Sequence, residues 1–87
     1  MSFKSAQSAK IGKIFQQKRL LMSITLEEAA QKTFINIEYL KGIESGDYAV
    51  FPARMFALKY YEKYADFLDI TQPFFDIFDK SIFDSLD

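Results

Sequence analysis

Two capped helical segments lie so close together in this chain that the path between them has almost no freedom. Thr25 followed by Leu26, Glu27 and Glu28 has the pattern of a capping box, in which the threonine oxygen takes an orphan backbone N–H and Glu28 reaches back to the cap. The helix opened there runs to about Lys32. Asn36 is placed to cap a further helix, with Ile37, Leu40 and Ile43 at helical spacing and an end near Ser45 and Gly46, where glycine permits a left-handed exit. Only about three residues join the two helices. So short a join forces a sharp turn, the helix-turn-helix arrangement.

Helical periodicity continues on both sides. Ile11, Phe15, Lys18 and Met22, with Ile14 and Leu21 beside them, recur at three and four residues and predict a first helix from about Ser8 to Met22. Residues 1–7 are expected to be disordered. Pro52 pre-sets the opening turn of a fourth helix that runs to about Leu68. After a break at Asp69 to Thr71, the threonine can cap a fifth helix over Gln72–Asp79, with Phe74, Ile77 and Phe78 on one side. Residues 80–87 form a C-terminal tail in which Ile82, Phe83 and Leu86 continue the pattern weakly. No segment reads as a strand. The expected fold is all-α: one domain over residues 8–79, a five-helix bundle whose first three helices form a helix-turn-helix unit with the long fourth helix packed across it.

Composition removes several classes of function. A chain of 87 residues is one domain, and hydrophobic residues make up 49% of it, with ten phenylalanines, enough for a core at this length. It has no cysteine and no histidine, which excludes disulfides, the usual zinc sets and every Ser-His or Cys-His nucleophile. Glu27 and Glu28 are the nearest approach to a catalytic acid pair, yet two acids in a first turn are explained by the helix dipole. No catalytic residue, cofactor site or metal site is expected, and the chain does not read as an enzyme. No stretch is long and apolar enough to span a membrane, and the opening residues lack the apolar run of a signal peptide, so the chain reads as cytoplasmic. Residues 1–22 hold five basic groups and no acid, whereas residues 23–51 hold five acids against two bases. With a net charge of −1, the chain is not built as a strong phosphate binder.

The segment from Phe51 to Leu68 carries more aromatic and apolar residues than one side of a helix needs for a core. At 3.6 residues per turn, Ala57, Tyr61, Tyr64 and Leu68 share the natural inward stripe. Phe56, Tyr60 and Phe67 line up to one side of it, with Lys59 and Lys63 on the far flank. Rigid aromatics beside ammonium groups suit docking into an apolar pocket with an acidic rim. The same rings could instead pack beneath a neighbouring helix. Met55, Leu58, Phe83 and Leu86 are the candidates for self-association.

From Ile11 to about residue 78 the chain resembles the N-terminal cytoplasmic domain of RodZ. The resemblance is carried by Ile11-Gly12, by Thr25 to Ala30, by Tyr39-Leu40 with Ile43 to Asp47, and by Pro52-Ala53-Arg54 leading to Tyr64-Ala65. The first three helices are shared with the larger class of Cro- and lambda repressor-like DNA-binding domains; the Pro-Ala-Arg helix is the more specific part. The resemblance implies an adaptor of bacterial cell shape that docks on the actin-like filament protein MreB, tethered to the inner membrane where a downstream segment supplies a span. It places the two aromatic contact positions on Phe56 and Tyr60, with Arg54, Lys59 and Lys63 as flanking charge and Tyr64 as buried support. Where that family tends to carry basic residues this chain has Leu58, Glu62 and Asp66, Lys59 stands in place of a glycine, and Ser23 replaces a usual glycine after the first helix.

The alternative is a DNA-binding regulator of the Cro/repressor-like (XRE) kind. Its third helix would enter the major groove and present Asn36, Ile37, Glu38 and Lys41. The outward positions there read as Glu38, Lys41, Gly42 and Ser45, with Glu44 and Asp47 near the phosphates, while Lys10, Lys13, Lys18 and Arg19 lie on the first helix. That balance of charge implies weak DNA binding or none.

Overall fold

The computed structural model describes residues 6–71 and places there four α-helices and one short 3-10 turn: α1 (Ala6–Leu21), α2 (Leu26–Thr33), α3 (Ile37–Ser45), the turn Tyr48–Val50, and α4 (Arg54–Phe67). There is no strand among the described residues. The expected fifth helix over Gln72–Asp79, the tail over residues 80–87 and residues 1–5 lie outside them.

The caps read from the sequence form as local chemistry requires. Thr25 Oγ1 accepts the Glu28 N–H at 3.0 Å, and the Thr25 N–H donates to Glu28 Oε1 at 3.0 Å, so the capping box closes both ways. Asn36 Oδ1 accepts the Glu38 N–H at 2.9 Å and starts α3. Gly46 ends it at φ 78, and the Asp47 N–H returns to the Gly42 carbonyl at 2.8 Å in a Schellman exit. The Gly46 carbonyl then accepts the buried Ser8 hydroxyl at 3.0 Å, which pins the start of α1 to the end of α3.

Pro52 lies before α4 rather than in its first turn. The N-cap is Ala53, extended and without a side-chain cap bond. What the proline does is hold the buried Phe51 extended, at φ −87 and ψ 142, because its ring disfavours helical backbone in the preceding residue. The short turn that precedes it, capped by Asp47 onto the Ala49 N–H, has no counterpart in the periodic pattern.

The buried face of α1 also differs from its apolar spacing. Ile11 and Phe15 are buried as expected, but Ser8, Gly12 and Arg19 complete the stripe, while Leu21 is 83% exposed and Lys18 is only half-buried. At Gly12 the helix meets α3 backbone to backbone: a Cβ there would overlap the Glu44 carbonyl and lie 2.5 Å from the Ile43 oxygen. About two turns further along, Arg19 turns inward because it finds a partner. Its Nε and Nη2 donate to the two oxygens of Glu44 at 2.7 and 3.0 Å, and Nη1 donates to the Ile24 carbonyl at 2.9 Å. The Tyr64 hydroxyl donates to the same carboxylate. A bidentate pair with a further bond from Nη1 to a backbone carbonyl is a form in which buried charge is tolerated. The hydrogen bond and charge of Glu44 raise the Arg19 pKa further.

The core combines aliphatic side chains with the rings of Phe15, Tyr48, Phe51, Tyr61 and Tyr64. The Phe15 ring, fully buried, lies 5.0 Å from the Tyr61 centroid and 5.4 Å from that of Tyr64. Burial raises the phenol pKa of Tyr48, Tyr61 and Tyr64, and for Tyr64 the bond to Glu44 adds to it. A phenol in the unfolded chain titrates near 10. Above that pH the unfolded state has lost protons that the native state keeps, so stability is intact below about pH 10 and falls as pH rises beyond it. Urea unfolding followed by circular dichroism should show a lower midpoint at pH 11 than at pH 9, and Tyr61→Phe should reduce the difference.

The join between α2 and α3 carries an unusual residue. Phe34 caps α2 in the left-handed region, at φ 60, with its ring 88% exposed. A left-handed L-residue costs roughly 1–2 kcal/mol, against about 0.5–1 kcal/mol of extra entropy lost by a glycine. Phe34→Gly should therefore raise stability by about 0.5–1 kcal/mol, read as a higher thermal midpoint.

Candidate functional site

The fourth helix buries Ala57, Tyr61, Tyr64 and, at its cap, Leu68, the stripe expected from spacing. Its neighbouring stripe is built outward from the core in steps. Phe51 is buried; Tyr39, half-buried on α3, packs on it at 4.9 Å between centroids, and the half-buried Tyr60 packs on Tyr39 at 5.2 Å. Phe56 then stacks on Tyr60 at 6.4 Å with ring planes 17° apart, and is 40% exposed. Phe56 thus faces solvent, while Tyr60 is its support as much as a surface residue.

Charge lies beside these rings. Lys59 Nζ sits 5.5 Å from the Tyr60 centroid, within the range of a cation–π contact worth about 0.5–1 kcal/mol at an exposed site. Lys63 is exposed one turn further on, and Arg54 is half-buried at the first turn. Met55, 74% exposed and next to Phe56, widens the apolar surface. The helix thus gathers Phe56, Tyr60 and Lys59 tightly, with Lys63 and Arg54 at the two ends.

The alternative set on α3 is arranged differently. The Asn36 side-chain oxygen is engaged as the cap, and Ile37 is half-buried. Glu38 and Lys41 are exposed and pair with each other at 3.4 Å. Gly42 does not face outward: a Cβ there would meet Val50 and lie 2.8 Å from the Asp47 carbonyl, so the 3-10 turn covers it. Glu44 does not approach the groove-facing side either, since it is buried on Arg19 and Tyr64. Both sides of the expected charge balance shrink: one carboxylate leaves the reading surface and one guanidinium leaves the basic face of α1.

Phe34 is the exposed ring that spacing does not reveal. It lies in the join, outside the registers of both α2 and α3, where apolar periodicity has nothing to say. Among the described residues no group of acids, histidines or cysteines is arranged to hold a metal ion, and no helix is long and apolar enough to cross a membrane.

A profile of a helix-turn-helix domain family, the family found in RodZ-type proteins, matches residues 14–73. No curated protein and no solved structure matches the chain significantly. The matched span takes in α2, the join, α3 and α4 whole, and with them every residue of both candidate surfaces. By that match the chain belongs to this helix-turn-helix domain family.

Proposed function

We propose that this domain is a cytoplasmic binding module rather than an enzyme, and that it docks through the outer face of α4 on an actin-like filament protein of the MreB kind, in support of rod cell shape. The observation that carries this reading is the propped ring of Phe56: an exposed aromatic held by stacking on Tyr60, which rests in turn on Tyr39 and, through it, Phe51. A ring already fixed in place loses little freedom when a partner covers it, which is what an interface anchor needs. Arg54, Lys59 and Lys63 supply charge toward an acidic rim.

Capture of the cognate filament protein by purified domain tests the proposal. Phe56→Ala should weaken it by about 1–2 kcal/mol, roughly 5- to 30-fold in Kd, with little change in melting temperature. Tyr60→Ala should weaken capture similarly and also lower the melting temperature, because its ring is half-buried against Tyr39. Undiminished capture by both variants would overturn the reading.

The helix-turn-helix arrangement itself supports a second reading, DNA binding through Asn36, Ile37, Glu38 and Lys41. Phosphate neutralisation supplies most of the affinity of such domains, and here the exposed pair on α3 is internally neutral. Sub-micromolar binding to duplex DNA at physiological salt, lost on Lys41→Glu, would favour it over filament docking.

A further inference from the structure

The outer face of α1 takes no part in either candidate surface. With about 100° of turn per residue, Lys10, Lys13, Gln17, Leu20 and Leu21 fall within one arc of similar width, opposite the buried Ile11, Phe15 and Arg19, and all five are exposed. The face carries one sign of charge. α1 contains no acid, and among the described residues no carboxylate lies within ion-pair distance of Lys10, Lys13 or the half-buried Lys18. Its carboxyl-terminal end is apolar: Leu20 is 59% exposed, Leu21 83%, and Met22, just past the helix, is exposed as well. Single exposed leucines are ordinary, but three consecutive large apolar residues left in water at one helix end are not.

We propose that this face rests on an anionic lipid bilayer, with α1 in the plane of the interface, Leu20 and Leu21 buried at the acyl boundary and the lysines on the headgroups. Lys10 stands about 16 Å along the helix from Leu21, so charge and apolar anchor bear on the surface at two separate points. The residue types favour lipid over a protein partner. Protein interfaces are depleted in lysine, seldom use leucine as an anchor, and need acids at matching positions, whereas headgroups move laterally to meet any spacing of ammonium groups. A nucleic acid would satisfy the lysines with phosphate and leave the leucines in water. The contact shares no residue with the docking surface on α4, so the two can fail separately.

Co-sedimentation of the full chain with vesicles of equal parts phosphatidylglycerol and phosphatidylcholine tests the proposal, with pure phosphatidylcholine vesicles beside them. Partition is expected onto the anionic vesicles only, and it should weaken as salt screens the lysines. Lys10→Gln with Lys13→Gln should reduce it by roughly five-fold for each lysine removed. Leu20→Ser with Leu21→Ser should reduce it by at least about ten-fold and leave the melting curve nearly unchanged, because both side chains are exposed. Equal partition onto both kinds of vesicle, or none onto either, would overturn the proposal. So would full partition by the leucine variant, since charge attraction alone would then account for it. Binding to duplex DNA without binding to vesicles would give the face to phosphates instead, and self-association that the leucine variant abolishes, again without vesicle binding, would give it to a second copy.

Discussion

Glu44→Ala should destabilise the domain by about 3–5 kcal/mol, enough to consume most of the stability of a chain this size. The carboxylate, carried on α3, is the shared acceptor of two other helices: α1 through Arg19 and α4 through the Tyr64 hydroxyl. Removing it leaves a guanidinium with 8% of its side chain exposed and its counter-charge gone. Urea unfolding measures the loss. The charge can be separated from the packing, because replacing a whole buried pair by apolar residues is often neutral or stabilising, whereas breaking it is not. Arg19→Met with Glu44→Leu should accordingly recover a large part of what Glu44→Ala loses. A double variant no better than the single one would mean that the contact acts through geometry rather than charge.

Phe15→Ala should cost a comparable amount, about 3–5 kcal/mol, by a different route. Its ring is fully buried between Tyr61 and Tyr64, so truncation removes apolar area and leaves a space walled by two phenols. Those tyrosines are held by helix backbone and, for Tyr64, by its bond to Glu44, so they have little room to collapse into the gap. Phe15→Leu, which fills more of the space, should recover part of the loss. Because Tyr64 packs on Phe15 and bonds to Glu44, a double-mutant cycle of Phe15→Ala and Glu44→Ala should show coupling, and simple addition of the two effects would mean that the rings and the ion pair act independently.

How much of this was legible in the sequence depends on the range of the interaction involved. Caps act over two or three residues, and Thr25 with Glu28, Asn36 and Gly46 all form as their local chemistry dictates. The inward stripe of α4 was equally readable, because Ala57, Tyr61, Tyr64 and Leu68 follow one helical period. The face of α1 was not. Apolar spacing favoured Lys18 and Met22, but the position that turns inward is Arg19, and its reason for doing so is Glu44, 25 residues away. Periodicity counts apolar residues and has no means of pairing two charges across a fold. Gly42 was misread for a related reason: a short 3-10 turn folds back over it, and no helical wheel contains that turn. Of the candidate site, the grouping of Phe56, Tyr60 and Lys59 followed from spacing, while the support of Tyr60 by Tyr39 came only from the packing of α3 on α4.

That support has a practical consequence. Tyr39 belongs to the helix that would read DNA, yet its ring is what Tyr60 leans on. A scan of α3 could therefore lower filament capture at a position that never meets the filament, simply by letting the anchor on the adjoining helix swing loose. Loss of function at Tyr39 is thus poor grounds for choosing between the two ligands. Exposed Glu38 and Lys41, which prop nothing on α4, are the places on that helix where a defect can be taken at face value.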